Sequence, residues 1–227
     1  MDTANPAAEQ PAQPRDRLVA TAARLFYAEG IHAVGVDRLT SEASVTKATF
    51  YRHFPTKDDL VLAYVRGEDL AIRSAVDGTD ALAPDAALDA IFADLGAMTC
   101  GPQFRGCPFI NAAAEYPDPE HPVRAAIDAH RSWFRDALAT RLESAGHPAP
   151  QATAGALMLL RDGALVGGYL DDAERIRATL REAVTALAAP AQNLGQTPPD
   201  ADRTPQHPGQ ARPDPDRTQN PAPPVQA

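Results

Sequence analysis

The chain reads as an all-α protein. Apolar residues recur three and four apart through most of its length, and no stretch alternates with the period of two that a half-buried strand needs. Two short periodic runs, residues 36–43 and 47–54, are separated only by Ser44-Val45-Thr46, the layout of a helix-turn-helix. Longer amphipathic runs then follow one another to about residue 189. Together these predict an N-terminal three-helix domain with a helix-turn-helix, whose second helix has the chemistry to enter a DNA groove, followed by a C-terminal six-helix domain.

Residues 1–14 are rich in Pro, Ala and Gln and read as a disordered arm. Residues 17–29 form the first helix, with Leu18, Ala22, Leu25 and Phe26 on its buried face. Gly30 sits where a C-cap with positive φ is wanted. In the next helix Val36, Leu39 and Ala43 make one apolar stripe. Thr46 is a good N-cap for the one after it, because its hydroxyl can accept from a free N–H of the first turn. Phe50 and Phe54 then share one face, while Lys47, Thr49, Tyr51, Arg52 and His53 project elsewhere. Pro55 ends the run.

Thr56 caps a fourth helix, favoured by Asp58 and Asp59 in its first turn and running to about Val76. Its apolar face carries Leu60, Ala63, Tyr64 and Gly67. Residues 77–80 are a linker. Pro84 opens a fifth helix bearing Leu88, Ile91, Phe92, Leu95 and Met98. After a loop at 101–106 come a short helix at 108–115 and a long one at about 122–145. The long helix presents Val123, Ile127, His130, Phe134, Leu138 and Leu142. Residues 151–170 are apolar on most sides, as in a helix packed between neighbours. Residues 172–189 are amphipathic through Ile176, Leu180, Val184 and Leu187. Ten of the 22 prolines fall in the last 38 residues, which predicts a disordered tail over 190–227.

Overall charge alone argues against a nucleic-acid partner, because the formal net charge is −9. Its distribution argues the other way. Residues 15–57 carry seven basic and four acidic side chains, and Lys47 and Lys57 are the only lysines in the chain. A basic face on an acidic body favours one orientation on DNA. Two cysteines are too few for a disulfide scaffold, and they lack metal-ligand spacing. With no signal-peptide pattern and no membrane-length apolar run, a cytoplasmic location is expected. Neither a Gly-rich phosphate loop, a metal set nor a nucleophile motif is found, so no cofactor, metal or enzymatic activity is expected.

Several linked motifs carry a resemblance. They are Leu25-Phe26-Tyr27-Ala28-Glu29-Gly30, Val36-Asp37-Arg38-Leu39, residues 45–54, and Lys57 with Leu60. The set, without a gap over residues 15–62, resembles the N-terminal domain of the tetracycline-repressor (TetR) family. That resemblance implies a ligand-responsive transcriptional regulator, most often a repressor. It implies a homodimer, through a four-helix bundle made by the last two helices, on a near-palindromic double-stranded operator. In the family the fourth helix carries the inducing signal. Two departures concern turn geometry. Ser44 stands where the family often has Gly, at a cost of about 1 kcal/mol if its φ is positive. Gly35 stands where the family often has a capping Thr.

The expected DNA-binding residues are Arg38, Thr46, Lys47, Ala48, Thr49, Tyr51, Arg52, His53 and Lys57. Lys47, Arg52 and Lys57 are cations for phosphates, and Lys57 has nearby carboxylates as alternative partners. Tyr51 and His53 can donate to phosphates, and the resemblance implies that they do. Thr46, Ala48 and Thr49 can reach base edges or methyl groups. A mainly apolar effector is expected against Phe92, Met98, Phe109, His130, Phe134 and Met158, with Asn111, Glu115, Arg161 and Asp162 as polar groups. For His130 the alternative is a satisfied core histidine; for Arg161 and Asp162, in an otherwise apolar helix, it is a paired or an interfacial position. Gly167 and Gly168 permit close helix approach, between subunits or within one chain. Cys107, at a helix N-terminus with Cys100 seven residues away, is a candidate thiol sensor or a small buried residue.

Overall fold

The computed structural model describes residues 13–189. Within them every regular element is a helix. The order is α1 (Pro14–Glu29), α2 (Val36–Glu42), α3 (Lys47–His53), α4 (Lys57–Asp77), α5 (Pro84–Thr99), α6 (Pro108–Glu115), α7 (Pro122–Ser144), α8 (Pro150–Leu170) and α9 (Ala173–Ala188). Pro14, expected in the arm, is the first helical residue, since a first-turn proline forgoes only an N–H that has no helical partner. The rest of the expected arm and the Pro-rich tail lie outside the described residues.

The first three helices close around Leu18, Leu25, Leu39 and Phe50, all at or near zero exposure. Leu60, Val61, Tyr64 and Val65 of α4 complete that core, which continues into Phe109 and Ala112 of α6 and Ile127 of α7. A second core lies between α5, α7, α8 and α9, around Phe92, Phe134, Leu157, Leu180 and Val184. Gly67 and Leu187, expected on buried faces, are exposed.

Turn chemistry follows the local sequence closely. Thr46 accepts from the Thr49 amide at 3.1 Å, and Thr56 forms a reciprocal capping box with Asp59. Ser44 has φ 52°, the left-handed conformation that its place in the turn demands. Arg17 helps to hold this turn: its guanidinium donates to the carbonyls of Ala43 at 3.1 Å and Ser44 at 3.3 Å. Gly30 has the positive φ that favours glycine, 93°, but its ψ of 151° is extended, so it ends α1 without the left-handed helical cap expected there.

Gly167 and Gly168 serve packing within the chain. A Cβ on Gly168 would stand 2.6 Å from Thr99, and one on Gly167 would stand 2.9 Å from Ile176. They let α5 and α9 approach α8, so they are no sign of a subunit contact. The outward face of α8 is a different matter. Leu159, Val166 and Leu170 are 75%, 46% and 71% exposed at spacings of seven and four, and Gly163 on the same face meets nothing.

Candidate nucleic-acid interface and effector site

Helix α3 turns Phe50 and Phe54 inward and leaves Lys47, Ala48, Tyr51 and Arg52 exposed. Tyr51 stands edge-on to Phe50 with 51% of its surface open. Its ring is therefore braced while its hydroxyl is free to donate. Thr46 is exposed, and its hydroxyl is already engaged with the Thr49 amide and hydroxyl. Thr46 is thus a cap first. Thr49 is half-buried.

The surrounding cations are held by carboxylates. Lys47 Nζ is 2.6 Å from Asp37, whose hydrogen bond raises the ammonium pKa. Arg38 pairs with Glu42 at 3.0 Å and with Glu29 through both terminal nitrogens; the Glu42 and Glu29 bonds raise its pKa. Arg24 bonds the other oxygen of Glu42, and these guanidiniums hold that carboxyl below its usual range. All of these pairs sit at the surface, where salt and phosphate can compete for them.

Two expected contacts point elsewhere. Lys57 donates to the Ile31 carbonyl at 2.6 Å and lies near the Phe26 ring. Burial pushes its pKa down, against the opposing charges of Glu115 and Asp58. It closes the α1–α2 turn, and its partner in the free protein is a carbonyl oxygen, neither the expected phosphate nor the alternative carboxylate. His53 is half-buried, with Nε2 sealed from solvent and given no partner.

The six residues expected around an effector do not share one open space. Phe92, Phe134 and Met158 are packed in the second core, and Met98 is 49% exposed on α5. His130 is buried, stacked flat on Phe109 at 3.8 Å, with Nδ1 2.8 Å from Asp69 Oδ1. Burial lowers its pKa, the Asp69 bond opposes this, and Arg161 and Arg73 lower it further. Asp69 in turn accepts from Arg73 at 2.8 Å, and Arg73 lies 4.1 Å over the Trp133 ring. A cavity of about 240 Å³ opens instead between α6, α7 and Asp162, with Phe109, Ile110, Ala113 and Ile127 as its apolar walls. Of the six, Phe109 lines it.

Under this cavity lies a charged core. Arg161 is 3% exposed and donates to Asp162 at 2.9 Å and to Cys107 Sγ at 3.7 Å. Asp162 also accepts two bonds from Arg131, at 3.1 and 2.6 Å. The expected pairing of Arg161 and Asp162 is present. Cys107 is buried and Cys100 half-buried, and both are free thiols.

The remaining polar expectations resolve into a clamp that the sequence did not reveal. Asn111 of α6 donates to the Arg105 carbonyl in the loop before the helix, at 2.9 Å. Glu115, at the end of α6, accepts from the amides of Ile31 at 2.7 Å and His32 at 2.6 Å. At the other end, Tyr27 of α1 donates to the Gly106 carbonyl at 2.9 Å and accepts from the Arg105 amide at 2.8 Å. Tyr116 bonds Asp58 at the start of α4 at 2.7 Å. Helix α6 is therefore tied at both ends to the helices that carry the helix-turn-helix. These partners lie 58 to 84 residues apart in sequence.

Comparison with known proteins agrees with this geometry. Residues 18–64 match the bacterial regulatory proteins of the tetR family, and residues 84–149 match the tetracyclin repressor-like C-terminal domain. A crystal structure of a TetR-family transcriptional regulator from Streptomyces coelicolor is 46% identical, covers 77% of this chain and 94% of its own, and superposes with a TM-score of 0.74. The transcriptional activator FasR of Mycolicibacterium smegmatis is 34% identical over 86 residues, which is 34% of this chain and 38% of that protein. The regulator LmrA of Bacillus subtilis is 27% identical over 124 residues, 52% of this chain and 66% of LmrA. The match thus spans less than two thirds of either curated relative.

Proposed function

The chain belongs to the TetR family of transcriptional regulators, and on that premise we propose that it is a repressor released from its operator by a small, mainly apolar effector. The observation that carries DNA binding is the outward face of α3. Lys47, Ala48, Tyr51 and Arg52 are exposed there while Phe50 anchors the helix. Such a face offers cations and a phenol to phosphates and small groups to base edges.

The acting unit is a homodimer. The exposed stripe of Leu159, Val166 and Leu170 on α8 is an apolar face that none of the described residues covers. Pairing two such faces is what a symmetric dimer needs. Two α3 helices would then enter successive major grooves roughly 34–36 Å apart on a near-palindromic site.

Effector control is supported by α6. One side of it walls the 240 Å³ cavity, and its two ends hold Tyr27, Ile31 and His32. An occupant that favours another position of α6 also favours another position of the helix-turn-helix. Changing the protein from nearly all bound to nearly all free takes roughly 5.5 kcal/mol of differential affinity. A second reading, a thiol sensor, is favoured by one observation: the Arg161 guanidinium donates to the buried Cys107 Sγ at 3.7 Å.

The test is to recover DNA fragments bound by the purified protein, then screen compounds for their release. Recovery of a repeated near-palindrome, released by apolar compounds in both wild type and Cys107→Ser, supports the proposal. Release by oxidants alone, lost in Cys107→Ser, replaces the effector by the thiol. No enriched fragment sinks operator binding.

A further inference from the structure

We propose that the cavity beside α6 takes a small amphiphile with a single negative charge, an aliphatic or aromatic carboxylate, with Arg131 as its anchor. This rests on the effector reading above and gives the effector its chemical class.

Charge balance around the cavity carries the argument. Arg161 and Arg131 both bond the same carboxylate, that of Asp162. Arg124 bonds Asp128 at 3.2 Å. Three guanidiniums are therefore served by two carboxylates. Arg161 cannot leave: it is 3% exposed, its guanidinium lies 5.1 Å from the Phe134 ring centroid, and a buried cation needs its counter-ion. Arg131 can. Its side chain is 34% exposed and lines the cavity. A guanidinium binds a carboxylate through two parallel N–H···O bonds, which is the geometry Arg131 now makes with Asp162.

An incoming carboxylate can take over Arg131 and leave Asp162 to Arg161, so that each guanidinium has its own anion. The walls opposite, Phe109, Ile110, Ala113 and Ile127, accept a short apolar body. A neutral ligand leaves the shared pairing as it is, and an amine adds a fourth cation. At about 240 Å³ the space is smaller than a typical drug-sized pocket, so the body is short.

The test is calorimetric titration of the full-length protein, without DNA, with octanoate, octanamide and octylamine. Octanoate should bind at least about tenfold more tightly than the other two, the scale of a charge-assisted hydrogen bond. Arg131→Gln should abolish that preference, Arg131→Lys should retain part of it, and Ala113→Phe should block binding by filling the space. Thermal melts of the three variants identify any that fails to fold. Equal binding of octanamide and octanoate overturns the anion assignment but leaves an apolar effector standing. No octanoate binding at millimolar concentration overturns the site itself. Operator recovery is unaffected by either result, so failure here is distinct from failure of the regulator reading.

Discussion

The surface around α3 and the interior beneath α6 hold their charges in opposite ways. Around α3, Lys47, Arg38 and Arg24 meet carboxylates at the edge of solvent. Beneath α6, Arg161 and His130 are almost sealed, and their partners Asp162 and Asp69 reach them from half-buried positions. At the surface a partner can be exchanged for a phosphate at little cost. Inside, a lost partner leaves a charge with nowhere to go. The first arrangement suits binding and release of a polyanion. The second fixes helices relative to one another.

The sharpest break of this contrast is Asp162→Ala. It strands Arg161 in the interior, and such a loss costs about 3–5 kcal/mol. Urea denaturation should show the midpoint falling steeply, with operator affinity reduced only through unfolding. Arg38 variants, by contrast, should leave the midpoint where it is. If Asp162→Ala unfolds like wild type, water reaches Arg161 and the interior is not sealed.

The two regions also differed in how far the sequence revealed them. Helix-turn-helix chemistry is local. Thr46 caps a helix three residues away, Phe50 and Phe54 share a face by spacing, and Ser44 sits in a turn whose φ follows from its length. Those features need only the periodicity of the chain. The carbonyl partner of Lys57 is not legible in the same way, because Ile31 is 26 residues away. The C-terminal half is built from distant pairs, Arg161 with Cys107 and His130 with Asp69, at separations of 54 and 61 residues. Helical spacing said that His130 and Phe134 face inward. It could not say that Phe109 would fill the space beside His130 and that the opening would lie between α6, α7 and Asp162. Glu115 looked like a ligand group because a carboxylate near an apolar stripe has no local partner; its partners are amides of the α1–α2 turn.

Two tyrosines sharpen the comparison at intermediate size. Tyr27→Phe removes one donor and one acceptor at the joint between α1 and the loop before α6. The expected loss is about 1–2 kcal/mol of stability, because the Gly106 carbonyl is left without its donor. Effector-driven release should weaken with it. Tyr51→Phe should leave stability unchanged and weaken operator binding on all sequences, as loss of a phosphate contact does. Denaturation curves and DNA titrations on both variants check this. If both lower DNA affinity equally and neither alters stability, the joint at Tyr27 is not structural.

The interior also predicts a pH dependence just below neutrality, a range in which the surface carboxylate pairs do not titrate. His130 has its pKa lowered by burial in the folded protein, whereas the unfolded chain titrates near the ordinary value of 6.5. Between the two values the unfolded chain holds a proton that the folded one lacks. Stability therefore falls as pH drops below about 6.5 and levels off beneath the folded value. For one proton the slope is at most about 1.4 kcal/mol per pH unit. The partners facing His130 are Asp69, Phe109, Trp133 and Phe134, with Arg73 and Arg161 acting through their charge. In His130→Phe the slope between pH 6.5 and 5.5 should flatten. A slope unchanged by that substitution assigns the titration elsewhere.

The smallest expected effect on stability, and the closest test of the surface half, is at Asp37. Its carboxylate holds the Lys47 ammonium at 2.6 Å, with both side chains well exposed. An exposed pair of this kind contributes little to folding, so Asp37→Asn should leave the melting curve where it is. DNA binding should respond instead. In the wild type, Lys47 must leave Asp37 before it can meet a phosphate, and the carboxylate itself repels the backbone. Asp37→Asn removes both obstacles, so operator affinity should rise a few-fold, most visibly at low salt where unscreened charge counts most. Lys47→Ala should do the reverse, lowering affinity and reducing the slope of log affinity against log salt by about one. The double variant should resemble Lys47→Ala with part of its loss restored. If Asp37→Asn instead weakens binding, the carboxylate is orienting Lys47 for its phosphate, and the surface pairs are as much a fixed framework as the buried ones.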